Sequence, residues 1–328
     1  MINRNSKISD IVNIKNKKIV FTPGPGSLLE ENILGLAPYF GRGDEEYSKI
    51  EKKVLNSLKI ISGLKKIVPF QGSGSLAIEI ALQNFVRGKI LIVHTGYYSE
   101  RLNYILKSLK HNFNNIKKIE IISWKEMNQV NKKYDWICAS PVETSIGLKV
   151  PIIELNDLKN KCKSKLMIDA TGSIGLESGH NFADVATFSS CKGLFGLTGG
   201  AFIAYKTEPK NKVKSFYMDI NTHIEKKITG PYHTIGSLYY VLKKHHEFKN
   251  SVKINKLKFL KDNKNSLIYP LKNQPLLCTY SKIKYKNKKK NIIIYRSRKK
   301  IDGTVVSHLG ELYLKNNSKG IIQKNLLK

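Results

Sequence analysis

Acidic residues are scarce in this chain of 328 residues: 25 Asp and Glu stand against 57 Lys and Arg, a formal net charge of +32 at pH 7. Cysteine is scarcer still. Cys138, Cys162, Cys191 and Cys278 form no CxxC pair and keep no regular spacing, which argues against a disulfide framework or a thiolate metal site and for free thiols in a reducing compartment. No metal site is expected. No apolar run approaches the roughly 20 residues needed to span a bilayer, and the opening MINRNSKISDIVNIKNKK lacks the continuous apolar stretch of a secretory signal. A cytoplasmic protein without a membrane partner is expected. The positive excess could neutralise phosphates, but it is almost all lysine, spread along the whole chain beside abundant Asn and Ile. It is therefore read as a solvated surface, and nucleic acid is not the expected partner. The densest run, KIKYKNKKK over 282–290, reads as a loop between two strands.

Apolar residues make up 41% of the chain, enough for a sizeable core, and the length predicts two domains. After the Pro/Gly-punctuated segment IVFTPGPGSLL, the pattern predicts a helix over 45–61 with Tyr47, Ile50, Val54, Leu55 and Leu58 on one face. Strands are predicted over 66–70, 89–94, 116–123, 135–139, 165–169, 185–189 and 201–205. Helices over 76–86, 97–109 and 156–163 alternate with them. This alternation predicts a mostly parallel sheet covered on both faces, whose sites lie beyond the carboxyl ends of the strands. A helix from Gly236 to about Phe248 leads out of this unit. Strands follow over 276–280, 291–295 and 304–307. The expected division is a large domain over 1–240, with an N-terminal arm over 1–28, and a smaller α+β domain over 241–328.

Three segments carry candidate chemistry, each placed just after a predicted strand. QGSGSLAIEIAL presents Gly72, Ser73, Gly74 and Ser75 at a helix N-terminus, a geometry that binds phosphate through unpaired N–H donors and the helix dipole. It is neither a Walker A motif nor a dinucleotide fingerprint. MIDATGSIG puts Asp169 at the end of an apolar strand, where a carboxylate acts when a cation faces it. TFSSCKGLFGLTGGAFIAY puts Lys192 in a Gly-rich segment between two apolar strands, the setting of a lysine that bonds carbonyl compounds. A phosphate cup, a strand-end carboxylate and a sheltered lysine are together what pyridoxal 5'-phosphate requires.

The ordered motifs FTPGPGSL, QGSGSLAIE, TGYYSERL, ETSIG, MIDATGSIG, SSCKG and GPYHT, covering roughly residues 20 to 240, resemble the class V aminotransferases, fold-type I enzymes dependent on pyridoxal phosphate. Within that group they are similar to the 2-aminoethylphosphonate–pyruvate and alanine–glyoxylate aminotransferases. The resemblance implies an α/β fold with a mostly parallel sheet sandwiched by helices and a smaller α+β C-terminal domain. It implies a homodimer with shared active sites, and small amine and keto-acid substrates. Lys192 would hold the cofactor covalently and shuttle a proton, and Asp169 would pair with its ring nitrogen. Ser73, Gly74 and Ser75 would hold its phosphate, with Thr171 in the same cofactor set. Tyr98 would lie against the ring, and Thr144 would bond its phenolic oxygen. Thr234, with His233 beside it, would reach the phosphate of the neighbouring subunit. Gly24 and Arg42 are candidates on the substrate side.

Two departures bear on the substrate. Cys191 precedes the lysine where relatives carry Asn or Gln, and is read as site-wall packing. The family's R-I-G-x-I-G segment corresponds to VVSHLGELY, so Val305 stands where an arginine grips the substrate anion. Arg296 or Arg298, expected on an adjacent strand, would replace it, or the substrate differs. The expected reaction moves an amino group from a donor such as 2-aminoethylphosphonate to an α-keto acid such as pyruvate, placing the chain in phosphonate metabolism. The alternatives are a lyase, an aminotransferase with another donor of the alanine or serine–glyoxylate type, or a drifted binding protein.

Overall fold

The computed structural model describes residues 7–112, 114–287, 290–313 and 326–327. Its centre is a seven-stranded sheet built from β1 (Lys66–Gln71), β2 (Gly88–His94), β3 (Ile116–Ser123), β4 (Trp136–Ala139), β5 (Lys165–Asp169), β6 (Val185–Ser189) and β7 (Gly200–Tyr205). The strand order is β1-β7-β6-β5-β4-β2-β3. Only β7 runs against its neighbours, antiparallel to both β1 and β6, while the remaining pairs are parallel. The expectation of a mostly parallel α/β sheet holds, and six strands end on the same edge.

Both faces of the sheet are covered, which is why its inner strands read as near-continuous apolar runs, whereas the edge strand β3 keeps charged residues exposed. Leu91, Val93, Leu166, Ile168, Phe188 and Phe202 point to one side, against α1 (Glu45–Ser62), α4 (Ile152–Cys162) and α5 (Tyr232–Lys243). Ile90, Ile92, Met167 and Ile203 point to the other, against α2 (Gly74–Phe85) and α3 (Tyr97–Asn112). The alternation within single strands follows from the two-residue pleat. Phe188 and Phe202 stack at 5.4 Å between centroids and are fully buried, each side chain stabilising the fold by roughly 1.5–3 kcal/mol. Helix α1 begins where the Asp44 carboxylate accepts from the Tyr47 N–H at 2.9 Å and stops at Gly63, whose φ of 65° is left-handed.

The predicted helix running to Phe248 is two helices. α5 ends at Lys243 and α6 (His245–Asn263) begins after Lys244, because the α5 face packs on the large sheet while α6 turns toward a different core. Helix α4 also starts four residues before the predicted Asn156, directly after Pro151.

The C-terminal part adds an antiparallel pair, Cys278–Ser281 with Thr304–Ser307, and a strand Ile292–Ile294 paired in parallel with Ile19–Phe21. Phe21 packs there with Phe259, Ile292 and Val306. The lysine-rich run over 282–290 contains the short strand Lys286–Asn287, and residues 288 and 289 of it lie outside the described residues. No helix among the described residues is long and apolar enough to cross a membrane.

His180 is buried beside the loop that follows β5, with Nε2 2.9 Å from the Ser173 hydroxyl. Burial pushes its pKa down to about 4. The unfolded chain takes up this proton near pH 6.5 and the folded chain does not until about pH 4, so this residue's contribution is intact above 6.5 and is lost as pH falls. The loss should approach about 1.4 kcal/mol per pH unit across that window, about 3 kcal/mol in all. Denaturant titrations of wild type and His180→Gln between pH 7 and 4 should show a steeper fall for wild type; parallel curves would refute it.

Candidate active site

Lys192 lies in the loop between β6 and β7, beyond the carboxyl end of β6. Leu194 and Phe195, both fully buried, anchor that loop. Phe195 holds a left-handed backbone, φ 57°, a conformation that costs a bulky residue energy and persists only when its surroundings fix it. They do: its ring packs on His245 and Phe248, and its carbonyl accepts from the Asn32 amide at 3.1 Å. The lysine side chain is half-buried. Its Nζ donates to Thr144 Oγ1 at 3.2 Å and sits 5.2 Å from the centre of the Tyr98 ring.

From Tyr98 a continuous circle of contacts runs back to the lysine. The Arg101 guanidinium lies over the Tyr98 ring at 4.7 Å and donates to Ser75 Oγ at 2.6 Å. Ser75 is in the first turn of α2, where N–H groups have no intrahelical acceptor, and the Ser73 side chain makes no capping bond there. Gly74, beside it, lies so close to Thr171 that an added Cβ would stand 2.8 Å from Thr171 Oγ1. The Thr171 N–H donates to Asp169 Oδ1 at 3.0 Å. Glu143, fully buried, closes the circle: it accepts from the Tyr98 N–H at 2.8 Å and from the Ser145 N–H and hydroxyl at 3.2 and 2.5 Å. Burial pushes its carboxyl pKa up, and the nearby Asp169 charge pushes in the same direction.

Two features of this circle fit pyridoxal phosphate. Thr171 Oγ1 is buried and has no hydrogen-bond partner within the described residues, yet it abuts the open N-terminus of α2, where a phosphate would supply an acceptor. Asp169 is 6% exposed and makes no ion pair among the described residues, although a carboxylate so far from water needs a cation; a protonated ring nitrogen is one. Residues that would hold the group are Lys192, Asp169, Thr144, Tyr98, Thr171, Ser73, Gly74 and Ser75. No group of three or more His, Cys, Asp or Glu side chains among the described residues is placed to hold a metal.

The other candidates are dispersed. Gly24 presses on the lysine: with φ 129°, it leaves an added Cβ 2.6 Å from Lys192 Cγ. Cys191 Sγ lies 3.6 Å from Ser189 Oγ in the site wall. Thr234 Oγ1 donates to the Thr198 carbonyl of its own chain at 3.1 Å, and His233 is exposed with its ring 6.1 Å from Tyr39. Arg42 is exposed in a cleft with Tyr47, His223 and Tyr232, away from Lys192. The two C-terminal arginines lie beyond the end of their strand rather than on it. They also separate: Arg298 lies over the Tyr97 ring at 5.5 Å, next to Tyr98, whereas Arg296 faces another cavity. Val305 is fully buried in an apolar cluster with Cys278 and Tyr280, so its strand offers no room for a charged side chain at that position.

Sequence reasoning missed three members. Arg101 stood in view within TGYYSERL, three residues after Tyr98, and Glu143 within ETSIG as the neighbour of Thr144. Tyr295 gave no local signal. Its hydroxyl is buried without a hydrogen-bond partner among the described residues, and burial, followed by the Tyr98 and Glu143 charges, pushes its pKa up to about 12.

Gly24→Ala should weaken pyridoxal phosphate uptake by at least about tenfold, because the new methyl must displace the lysine stem and adopt a disfavoured φ. Gly43→Ala is the control, since its φ of 84° is also left-handed but nothing lies within 4 Å. Titration by visible absorbance checks this; equal uptake by both variants contradicts it.

No protein-family model matches the chain. Among curated proteins it is 26% identical over 253 residues to a 2-aminoethylphosphonate–pyruvate transaminase of Pseudomonas putida, covering 70% of this chain and 69% of that one. Among solved structures, an alanine–glyoxylate aminotransferase from Nostoc superposes with a TM-score of 0.76 at 17% identity, over 91% of both chains. An aspartate aminotransferase from Thermus thermophilus gives 0.77 at 18% identity, over 93% of this chain and 97% of that one. Motifs, fold and relatives converge: the chain is similar in sequence to 2-aminoethylphosphonate–pyruvate transaminases and has the fold of the solved aminotransferases, which supports a pyridoxal-phosphate-dependent aminotransferase.

Proposed function

We propose that the chain moves an amino group from a small anionic primary amine, such as 2-aminoethylphosphonate, to an α-keto acid such as pyruvate, within cytoplasmic phosphonate metabolism. The observation that carries the site assignment is the Asp169 carboxylate, nearly buried and without a cation partner among the described residues, in the same wall of contacts as Lys192. The donor class is supported by the sequence similarity to the transaminase of Pseudomonas putida.

Pyridoxal phosphate, when bound, supplies the carbonyl that exchanges for the amino group and a ring that withdraws electrons. The chain's residues do the rest. Lys192 would hold the group through its amine and would serve as the base that moves a proton at the substrate carbon bearing the amino group, a transfer that needs a base within hydrogen-bond reach. Thr144, 3.2 Å from the amine, orients it. Asp169 would pair with a protonated ring nitrogen. Tyr98, fixed by Glu143 through its own N–H, would offer its ring to the group. Ser73, Gly74, Ser75 and Thr171 take the phosphate, with Arg101 placing its charge on the Ser75 hydroxyl. Thr234 of the partner subunit completes the phosphate site in a homodimer.

Arg298 takes the substrate anion. Its guanidinium lies over the Tyr97 ring, one residue from the tyrosine under the lysine, and makes no ion pair among the described residues, which leaves its planar fork available for bidentate recognition of an anion. Arg42 and Arg296 lie elsewhere and are not assigned this role. The apolar seat of Val305 favours a second reading, an aminotransferase of different donor preference, in which Arg298 grips a carboxylate instead of a phosphonate.

A panel of amino donors with pyruvate, scored by alanine formation, separates these readings. The expected order puts 2-aminoethylphosphonate first. Lys192→Ala should abolish turnover and the visible absorbance band of the lysine-bound group. Arg298→Ala should raise the donor KM about 10- to 100-fold with little change in kcat, the signature of a lost charge-assisted contact. No alanine from any donor, with the visible band intact, overturns the reaction; an unchanged KM in Arg298→Ala overturns its role.

A further inference from the structure

A second cavity, of about 490 Å³, lies in the C-terminal part of the molecule, between the segment 284–286 and the segment 294–304. Five of its twelve lining residues are Lys or Arg and none is acidic. A random dozen from this chain, with its 57 basic and 25 acidic residues in 328, would hold about two basic and one acidic. The enrichment therefore exceeds the general surface charge. Lys284 pairs with Asp302 at 2.7 Å and Lys299 with Glu100. Lys286, Arg296 and Lys300 make no ion pair among the described residues. Three uncompensated cations around one concavity repel each other and focus an attractive potential on a multiply charged anion.

The remaining wall mixes Ser297 and Thr304 with apolar and aromatic side chains. Ile294, Ile301, Tyr285 and Tyr295 contribute to it, so the cavity combines a cationic rim with apolar and aromatic surface. That combination suits a ligand with a flat, weakly polar body and a chain of phosphates, and the volume falls within the range of small-molecule sites. A single phosphate would leave cations unanswered and the aromatic wall unused.

We propose that this cavity binds a nucleoside di- or triphosphate, at a site separate from the cofactor's phosphate cup. Arg296 and Lys300 grip the phosphates, with Lys286 adding charge, and the base lies on the tyrosine and isoleucine wall. The cavity borders the active site. Tyr295 faces it while standing within electrostatic reach of Tyr98 and Glu143, and the Ser297 hydroxyl donates to the Ser145 carbonyl at 2.8 Å. The inference does not rest on the aminotransfer reading.

The test is calorimetric titration of the cofactor-loaded protein with ATP, tripolyphosphate and adenosine, at two salt concentrations. ATP should bind with a stoichiometry near one and at least about fivefold more tightly than tripolyphosphate, with adenosine weaker than both. The double variant Arg296→Ala/Lys300→Ala should weaken ATP at least about tenfold while keeping its visible cofactor spectrum and thermal midpoint. Lys272→Ala, a lysine on another surface, should change nothing. Absent or non-saturating ATP binding overturns the proposal, as does an equal loss in Lys272→Ala, which marks diffuse charge. Equal affinity for tripolyphosphate overturns the assignment of a nucleoside. A single-stranded oligonucleotide that binds through the same arginine and lysine and is not displaced by ATP overturns it in favour of nucleic acid.

Discussion

One constraint organises the molecule: a carboxylate at the end of an apolar strand has been taken out of water without a cation from the described chain. Asp169 ends a strand whose every residue but the first is buried, and leaving an ionised group there is costly unless a positive partner arrives. The sheet makes such a position available because six of its strands end on one edge, where side chains leave the core and backbone groups run out of partners. The glycine turn after β1, Tyr98 after β2, Thr144 after β4, Asp169 at the end of β5 and Lys192 after β6 all occupy that edge. Their convergence is a property of parallel topology before it is a property of any motif.

The wall of the site is polar inside and apolar behind. Glu143 holds Tyr98 and Ser145 by hydrogen bonds with both of its oxygens, so the aromatic face and the Thr144 segment are positioned by a single buried carboxylate. Among the described residues the buried hydroxyls of Thr171 and Tyr295 have no hydrogen-bond partner, places where a ligand would supply one. Incomplete satisfaction in an otherwise well-bonded fold is where binding chemistry concentrates.

Much of this was legible beforehand, for identifiable reasons. The strands over 165–169 and 185–189 stand where alternation placed them, because a doubly covered sheet requires continuous apolar runs, and the edge strand over 116–123 is marked by its spaced isoleucines instead. Lys192 and Asp169 could be singled out among 57 basic and 25 acidic residues because both follow such runs directly. What escaped depends on distance in the chain. The break at Lys244 follows from two different cores, which a local period cannot distinguish. The separation of Arg298 from Arg296, two residues apart, depends on Tyr97 lying about 200 positions away. Tyr295 turning toward Glu143 is equally non-local. The reversed strand β7 is invisible to periodicity altogether, since a buried antiparallel strand reads like a parallel one.

Phe21 sits in the C-terminal core with Phe259 and Ile292, and three residues later Gly24 touches the stem of Lys192. That short tether runs from the C-terminal apolar cluster to the stem of the reactive amine, so the packing of Phe21 fixes where Gly24 meets the lysine.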